Sequence, residues 1–125
     1  MKIKFELEYT FNTSPKILFP RVSTASGLSE WFADDVRVNG KMYTFVWEGS
    51  EQDAEMILKK DGKYVRFHWV DDEDPKTYFE FRFHIDELTN DLALIVTDFA
   101  DEDEVEDTKE LWNSQTQSLK QLLGL

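Results

Sequence analysis

Polar and apolar side chains alternate strictly over the first residues of the chain. The apolar members of this segment are Ile3, Phe5, Leu7, Tyr9 and Phe11. A period of two puts all of them on one face of an extended chain, which is typical of a strand with one buried side. Residues 2–11 are therefore predicted to form a strand.

Two short helices are predicted to follow this strand. Ser14 can cap the first helix, and Pro15 suits its first position. Pro20 is expected to end or kink this helix, because proline has no amide hydrogen to donate. Residues 25–33 form the second predicted helix. Its apolar residues are Leu28, Trp31 and Phe32.

Three turn signals divide the middle of the chain into strands: Asn39-Gly40, Gly49-Ser50 and Asp61-Gly62. Asn-Gly and Asp-Gly are favoured in two-residue hairpins. The predicted pairs are Val36 with Tyr43, Phe45 with Ala54, Tyr43 with Met56, Leu58 with Val65, and Met56 with Phe67. Paired residues share a face, so the turns predict one large apolar face. Its members are Val36, Val38, Tyr43, Phe45, Trp47, Ala54, Met56, Leu58, Val65, Phe67 and Trp69.

Two further strands are predicted after the acidic loop at residues 71–76. The first has Phe79, Phe81, Phe83 and Ile85 on one face. Its register against residues 64–70 is predicted to set Arg66 opposite Glu80, because the alternative sets Arg66 opposite Arg82 and is repulsive. The last strand covers residues 92–99, with Leu92, Leu94 and Val96 continuing the apolar face.

A long C-terminal helix completes the predicted order. Asp101 and Glu104 have the spacing of a capping box. One stripe at helical spacing comprises Val105, Thr108, Trp112, Thr116, Leu119 and Leu123. Because no other element is long enough to cover the aromatic face of the sheet, this helix is predicted to lie across it.

Composition narrows the class of protein. The chain has 125 residues, with 10 Phe, 4 Tyr and 4 Trp, so full disorder is excluded and a single domain over residues 1–125 is expected. Cysteine is absent, which excludes disulfides and thiolate chemistry. No apolar run is long enough for a transmembrane helix, and the alternating start does not resemble a signal peptide. We expect a cytoplasmic protein.

Charge and motifs argue against several functions. The 14 Lys and Arg against 26 Asp and Glu leave a net charge of −12, which has the wrong sign for nucleic acid or an anionic membrane. A cationic partner fits this charge, although solubility explains it more simply. Neither a phosphate loop nor a metal-ligand spacing is present, and His68 and His84 are predicted to lie opposite the aromatic face. No cofactor is therefore expected.

Five segments carry a resemblance to a known family. They are the strand-to-helix start at 9–16 (YTFNTSPK), GLSEWFA at 27–33, FVW at 45–47, VRFHW at 65–69, and Trp112 followed by Leu119 and Leu123. Their joint order resembles the α+β helix-grip fold of the START-like superfamily, also called SRPBCC or Bet v 1-like. In that fold a curved antiparallel sheet of about seven strands wraps a long C-terminal helix.

Within this superfamily, the nearest branch looks like the heat-shock-protein ATPase activators. The chain departs from that branch at Leu111, where a glycine is usual, at Thr116, where an apolar residue is usual, and in its acidic loop at residues 71–76. The departures make the chain equally similar to other bacterial START-like proteins, and we prefer that assignment.

The resemblance implies a hydrophobic cavity between the sheet and the long helix, for a small hydrophobic or lipid-like ligand. The candidate lining residues are Trp31, Tyr43, Phe45, Trp47, Met56, Phe67, Trp69, Phe81, Asp98, Trp112 and Thr116. Core packing explains the same aromatic residues equally well. Asp98 points inward if the last hairpin is symmetric about residues 88 and 89, and it is exposed if the strand ends before it.

Three functions stay open at this point. A non-enzymatic ligand-binding domain is preferred. A protein-interaction domain of the co-chaperone type is the second hypothesis. A cyclase or dehydratase is the third, and its only candidate polar groups are Asp98, Thr116 and Tyr43. All three hypotheses stay open because fold alone does not determine function. No catalytic residue is predicted.

Overall fold

The alternating segment at the start of the chain forms an edge strand of a seven-stranded antiparallel sheet. A computed structural model describes residues 1–125. In chain order the elements are β1 (Lys2–Phe11), α1 (Pro15–Ser23), α2 (Ala25–Leu28), β2 (Asp35–Asn39), β3 (Met42–Trp47), β4 (Ser50–Lys60), β5 (Tyr64–Trp69), β6 (Phe79–Ile85), β7 (Leu92–Asp101) and α3 (Val105–Leu122). The spatial order of the strands is β1-β7-β6-β5-β4-β3-β2. This is the predicted α+β helix-grip fold.

The helix α3 packs on the apolar face of the sheet. Trp112, Thr116 and Leu119 are the buried residues of α3. The Trp112 ring lies 5.7 Å from that of Phe81, between ring centroids. The predicted stripe of α3 thus faces the sheet, as amphipathic patterning requires.

The central hairpins keep the predicted face but not the predicted turns. Met56 pairs with Phe67 as predicted. The first predicted turn lies one residue too early and the second one residue too late: the central residues are Gly40-Lys41 and Glu48-Gly49. Glu48 and Gly49 both have positive φ, as a type I′ turn needs, and Gly40 supplies the positive φ of the other turn.

Each corrected turn changes the register by two residues. Val36 therefore pairs with Phe45, and Tyr43 pairs with Ala54. Because side chains alternate with a period of two, a shift of two residues leaves every side chain on its predicted face.

A β-bulge in β4 overturns the prediction for Leu58. Lys60 pairs with Tyr64, so the turn at Asp61-Gly62 has three residues and not the predicted two. The register shifts between Met56 and Leu58, so Leu58 opposes Arg66 and not Val65. The extra residue, Ile57, turns Leu58 to the other face of the sheet. Ile57 and Leu58 are consequently 46% and 42% exposed.

The predicted helix boundaries were wrong in three places. Pro20 does not end α1, which continues to Ser23, since the ring is exposed and the helix gives up only one hydrogen bond there. The helix α2 ends at Leu28, and the following turn is held by the amides of Phe32 and Ala33 on the Leu28 carbonyl. The helix α3 begins at Val105 without a side-chain cap. Asp101, the proposed capping residue, is instead the last residue of β7.

The charge-based register of β5 and β6 is confirmed. Arg66 lies opposite Glu80, and its Nε donates to Glu80 Oε1 at 2.9 Å. Arg82 Nε donates to the other carboxylate oxygen at 3.1 Å. The Glu80 side chain is only 5% exposed, so two guanidinium groups compensate a carboxylate that the sheet buries.

None of the three helices is long and apolar enough to cross a membrane.

Candidate ligand-binding site

An aromatic cleft of about 140 Å³ opens between one end of the sheet and the first turns of α3. Its lining comprises Phe32, Trp47, Trp69, Phe79, Asp98, Thr108, Leu111, Trp112 and Gln115. An engineered apolar cavity of about 150 Å³ is large enough to bind benzene. The cleft therefore has room for a single ring or a compact branched group.

The antiparallel topology brings three of the aromatic residues to the same end of the sheet. Trp47 and Trp69 are the last residues of β3 and β5, and Phe79 is the first residue of β6. The Trp69 ring centroid lies 4.9 Å from that of Phe79 and 6.0 Å from that of Trp47. These rings form one continuous wall of the cleft.

The opposite wall is one face of α3. Thr108, Leu111, Trp112 and Gln115 follow a three- and four-residue spacing, which puts them on one side of a helix. Trp112 lies at the bottom and is 5% exposed, whereas Leu111 is 58% exposed. Leu111 therefore lies at the rim, where its side chain borders the opening.

Phe32 joins these two walls. Its carbonyl oxygen accepts a hydrogen bond from Trp47 Nε1 at 2.8 Å and another from Gln115 Nε2 at 3.1 Å. Its ring stacks on Trp112, with centroids 5.5 Å apart and planes 21° apart. The turn after α2 thus holds both walls at a defined separation.

Asp98 is the charged residue of the cleft. The β6–β7 register pairs Glu80 with Thr97, so the next residue, Asp98, points inward. Its Oδ2 accepts a hydrogen bond from Trp112 Nε1 at 2.9 Å, and its Oδ1 accepts one from the backbone amide of Phe99 at 2.7 Å. Burial raises the pKa of the Asp98 carboxyl, and these two hydrogen bonds and the charge of Lys2 oppose the rise.

Four of the predicted lining residues meet in this cleft: Trp47, Trp69, Asp98 and Trp112. The other seven lie elsewhere. Phe45, Phe67 and Phe81 are fully buried within the core. Met56 borders a separate recess beside the β4 bulge, together with Lys41.

The remaining three predicted residues are buried, with their polar atoms already bonded to the backbone. Trp31 Nε1 donates to the carbonyl of Arg21 at 2.7 Å. The Tyr43 hydroxyl donates to the carbonyl of Ser23 at 2.8 Å, and the Thr116 hydroxyl donates to that of Trp112 at 2.9 Å. Burial also raises the pKa of Tyr43. Neither hydroxyl reaches the cleft.

Five lining residues were not predicted from the sequence. Thr108, Leu111 and Gln115 share a helix face with Trp112, so helical spacing around that tryptophan could have identified them. Phe32 and Phe79 carry no such signal, because their place in the cleft depends on contacts between distant segments.

Comparison with known proteins gives the family. A family model described as START-like superfamily domain matches residues 1–125. The solution NMR structure of BfR322 from Bacteroides fragilis is 40% identical, with 99% of this chain and 93% of that chain covered and a TM-score of 0.70. No curated protein matches the chain.

More distant structures share the fold alone. The Aha1 dimer from Colwellia psychrerythraea is 19% identical, with 94% of this chain and 93% of that chain covered and a TM-score of 0.77. DynU16, described as a putative protein in the dynemicin biosynthetic locus, is 13% identical, with 97% and 47% covered and a TM-score of 0.77.

Proposed function

This chain belongs to the START-like superfamily, and we propose that it acts as a single domain that binds a small apolar ligand in the cleft between the sheet and α3. The observation that carries the proposal is the aromatic cleft of about 140 Å³. Burial of an apolar group there would release water from the faces of three indole rings. A lipid-like ligand longer than one ring would have to extend past Leu111 toward solvent.

Binding of a single-ring probe provides the direct test. We expect toluene to shift the indole N–H resonances of Trp47 and Trp112 in a saturable way, because both rings line the cleft. Burying roughly 200 Å² of apolar surface is consistent with a dissociation constant on the order of 0.1–1 mM. Two-dimensional NMR titration measures both the affinity and the site.

A variant that fills the cleft gives the matched comparison. Thr108→Phe adds a ring to the lining and is expected to weaken toluene binding at least about tenfold, since the added side chain occupies the ligand's space. Ser114→Phe makes a similar change at an exposed position of α3 and should leave the affinity unchanged. Unchanged affinity in Thr108→Phe, or no saturable shift in the unmodified protein, would rule the proposal out.

Binding is proposed in preference to catalysis because too few of the candidate catalytic groups reach the cleft. Of the three candidate catalytic groups, only Asp98 lines it, whereas the Tyr43 and Thr116 hydroxyls bond to backbone carbonyls in the core. Cyclase and dehydratase chemistry moves protons both from and to the substrate, and enzymes commonly divide these steps between a positioned base and a positioned acid. A lone carboxylate supplies one of these two roles.

A protein-interaction role is the second candidate, and the β4 bulge is the observation that favours it. The bulge exposes Ile57 and Leu58 beside Lys41 and Lys59, which together border a surface recess. Apolar side chains flanked by two lysines suit a partner segment that carries both apolar and acidic residues, because the local charge of this recess is positive. Failure of every cleft probe to bind would make this candidate the better one.

A further inference from the structure

We propose that the cleft selects an organic cation, namely an alkylated ammonium group held between the tryptophan faces and the Asp98 carboxylate. This inference rests on the proposed function, because it names the chemical class of the ligand that binds in the same cleft. It differs from the proposed function in one respect: the positive charge, and not apolar surface alone, determines the affinity.

The aromatic lining supplies the first part of the argument. A cation over an aromatic face is attracted by the negative potential of the ring, and tryptophan is the strongest of the aromatic side chains in this respect. Trp47, Trp69 and Trp112 all border the same small space. Trp47 and Trp69 are inclined to each other by 56°, so the two rings do not form a flat stack. Several ring faces around one small space are the arrangement that recognises methylated ammonium groups.

The charge of the lining supplies the second part. Asp98 is the only charged residue among the nine that border the cleft. Each carboxylate oxygen accepts one hydrogen bond within the protein, which leaves further lone pairs available. A neutral apolar ligand would displace water from this half-buried carboxylate and offer no charge in its place, whereas a cation would compensate the negative charge. An anionic ligand would be repelled.

The acidic residues outside the cleft act in the same direction. The segment that leads into α3 carries Glu102, Asp103, Glu104, Glu106 and Asp107, directly before the lining residue Thr108. The whole chain carries a net charge of −12. A negative field of this kind raises the local concentration of cations at the opening. Lys2 is the basic residue whose charge acts on Asp98. Its Nζ lies 3.9 Å from Asp72 Oδ2, so a second carboxylate partly compensates this positive charge.

The test compares two soluble probes of the same shape and different charge. Choline and 3,3-dimethyl-1-butanol differ by replacement of the quaternary nitrogen with carbon. Isothermal titration and NMR at low salt are expected to give choline at least about tenfold higher affinity, which is the size of a desolvated cation–π contact. The indole resonances of Trp47 and Trp112 should report the same site as toluene.

Variants separate the carboxylate from the rings. Asp98→Asn should weaken choline about tenfold and change the affinity of the neutral isostere less than about twofold. Asp91→Asn removes the same charge at an exposed position outside the cleft and should leave choline binding nearly unchanged. Trp69→Leu retains apolar bulk while removing one ring face, so it should weaken choline more than the isostere. Trp69→Leu therefore also tests cation selection if Asp98→Asn does not fold.

The outcomes distinguish this inference from the proposed function. If toluene and the neutral isostere bind as tightly as choline, cation selection is wrong and the proposed binding of an apolar ligand in the cleft still holds. Equal effects of Asp98→Asn and Asp91→Asn on choline would overturn cation selection in the same way. Absence of binding by toluene, choline and the isostere alike would overturn both proposals.

Discussion

Replacement of Trp112 by alanine is expected to lower the free energy of unfolding by about 3–5 kcal/mol, which is the usual cost of truncating a buried tryptophan. Trp112 is 5% exposed and stacks on Phe32, with further ring contacts to Phe79 and Phe81. Its loss would remove the largest side chain by which α3 packs on the sheet. The Asp98 carboxylate would also lose its indole donor and remain half-buried with one hydrogen bond fewer.

Urea denaturation followed by far-ultraviolet circular dichroism measures this loss without depending on tryptophan emission. The neighbouring variant Leu111→Ala is the matched control, because Leu111 is 58% exposed and should cost less than about 1 kcal/mol. Trp112→Phe retains most of the packing and isolates the contribution of the indole donor. A loss below about 1 kcal/mol in Trp112→Ala would show that α3 is not held on the sheet through this residue.

Replacement of Gly27 by alanine should be comparably damaging, at about 3 kcal/mol or more, although only one methyl group is added. A Cβ at Gly27 would overlap the carbonyl oxygen of Pro20 and lie 2.7 Å from the Cα of Arg21. Both neighbours are backbone, so the clash cannot be relieved by a side-chain rotation. The helices α1 and α2 would have to separate, which would also strain the bond from Trp31 Nε1 to the Arg21 carbonyl.

This prediction opposes the intrinsic preference of the backbone, because alanine is the better helix former by about 1 kcal/mol. Ser26→Ala makes a similar helix-favouring change at the adjacent exposed position and should be nearly neutral. Thermal and urea melts of the two variants provide the comparison. Equal stability of Gly27→Ala and Ser26→Ala would contradict the close approach of α1 and α2.

Features that depend on local pattern were predictable. The alternation of residues 2–11 identified β1, and helical spacing identified the buried stripe of α3. Opposite charges identified the register of Arg66 with Glu80. Each of these signals is contained in a short segment or in one pair of strands, so it can be read without knowing the rest of the fold.

Features that depend on backbone detail were predicted less well. Two hairpin turns were misplaced by one residue, and the bulge at Ile57 was missed, so Leu58 was assigned to the wrong face. A glycine signals that a turn is near, but it does not say which of the two central positions it occupies. A bulge needs only one extra residue, and an apolar sequence such as that of Met56 to Leu58 fits either face.

The sequence by itself determined the family fold, the order of the elements and the apolar face of the sheet, because periodicity places side chains on faces whatever their partners are. Only the tertiary structure decided which aromatic residues fill the core and which border a cleft. Phe45, Phe67 and Trp69 belong to the same predicted face, yet only Trp69 lines the cleft. A cleft is the space left after side chains from distant segments have packed, so Phe32, Asp98 and Trp112 border it together through the sum of their contacts and not through any local pattern.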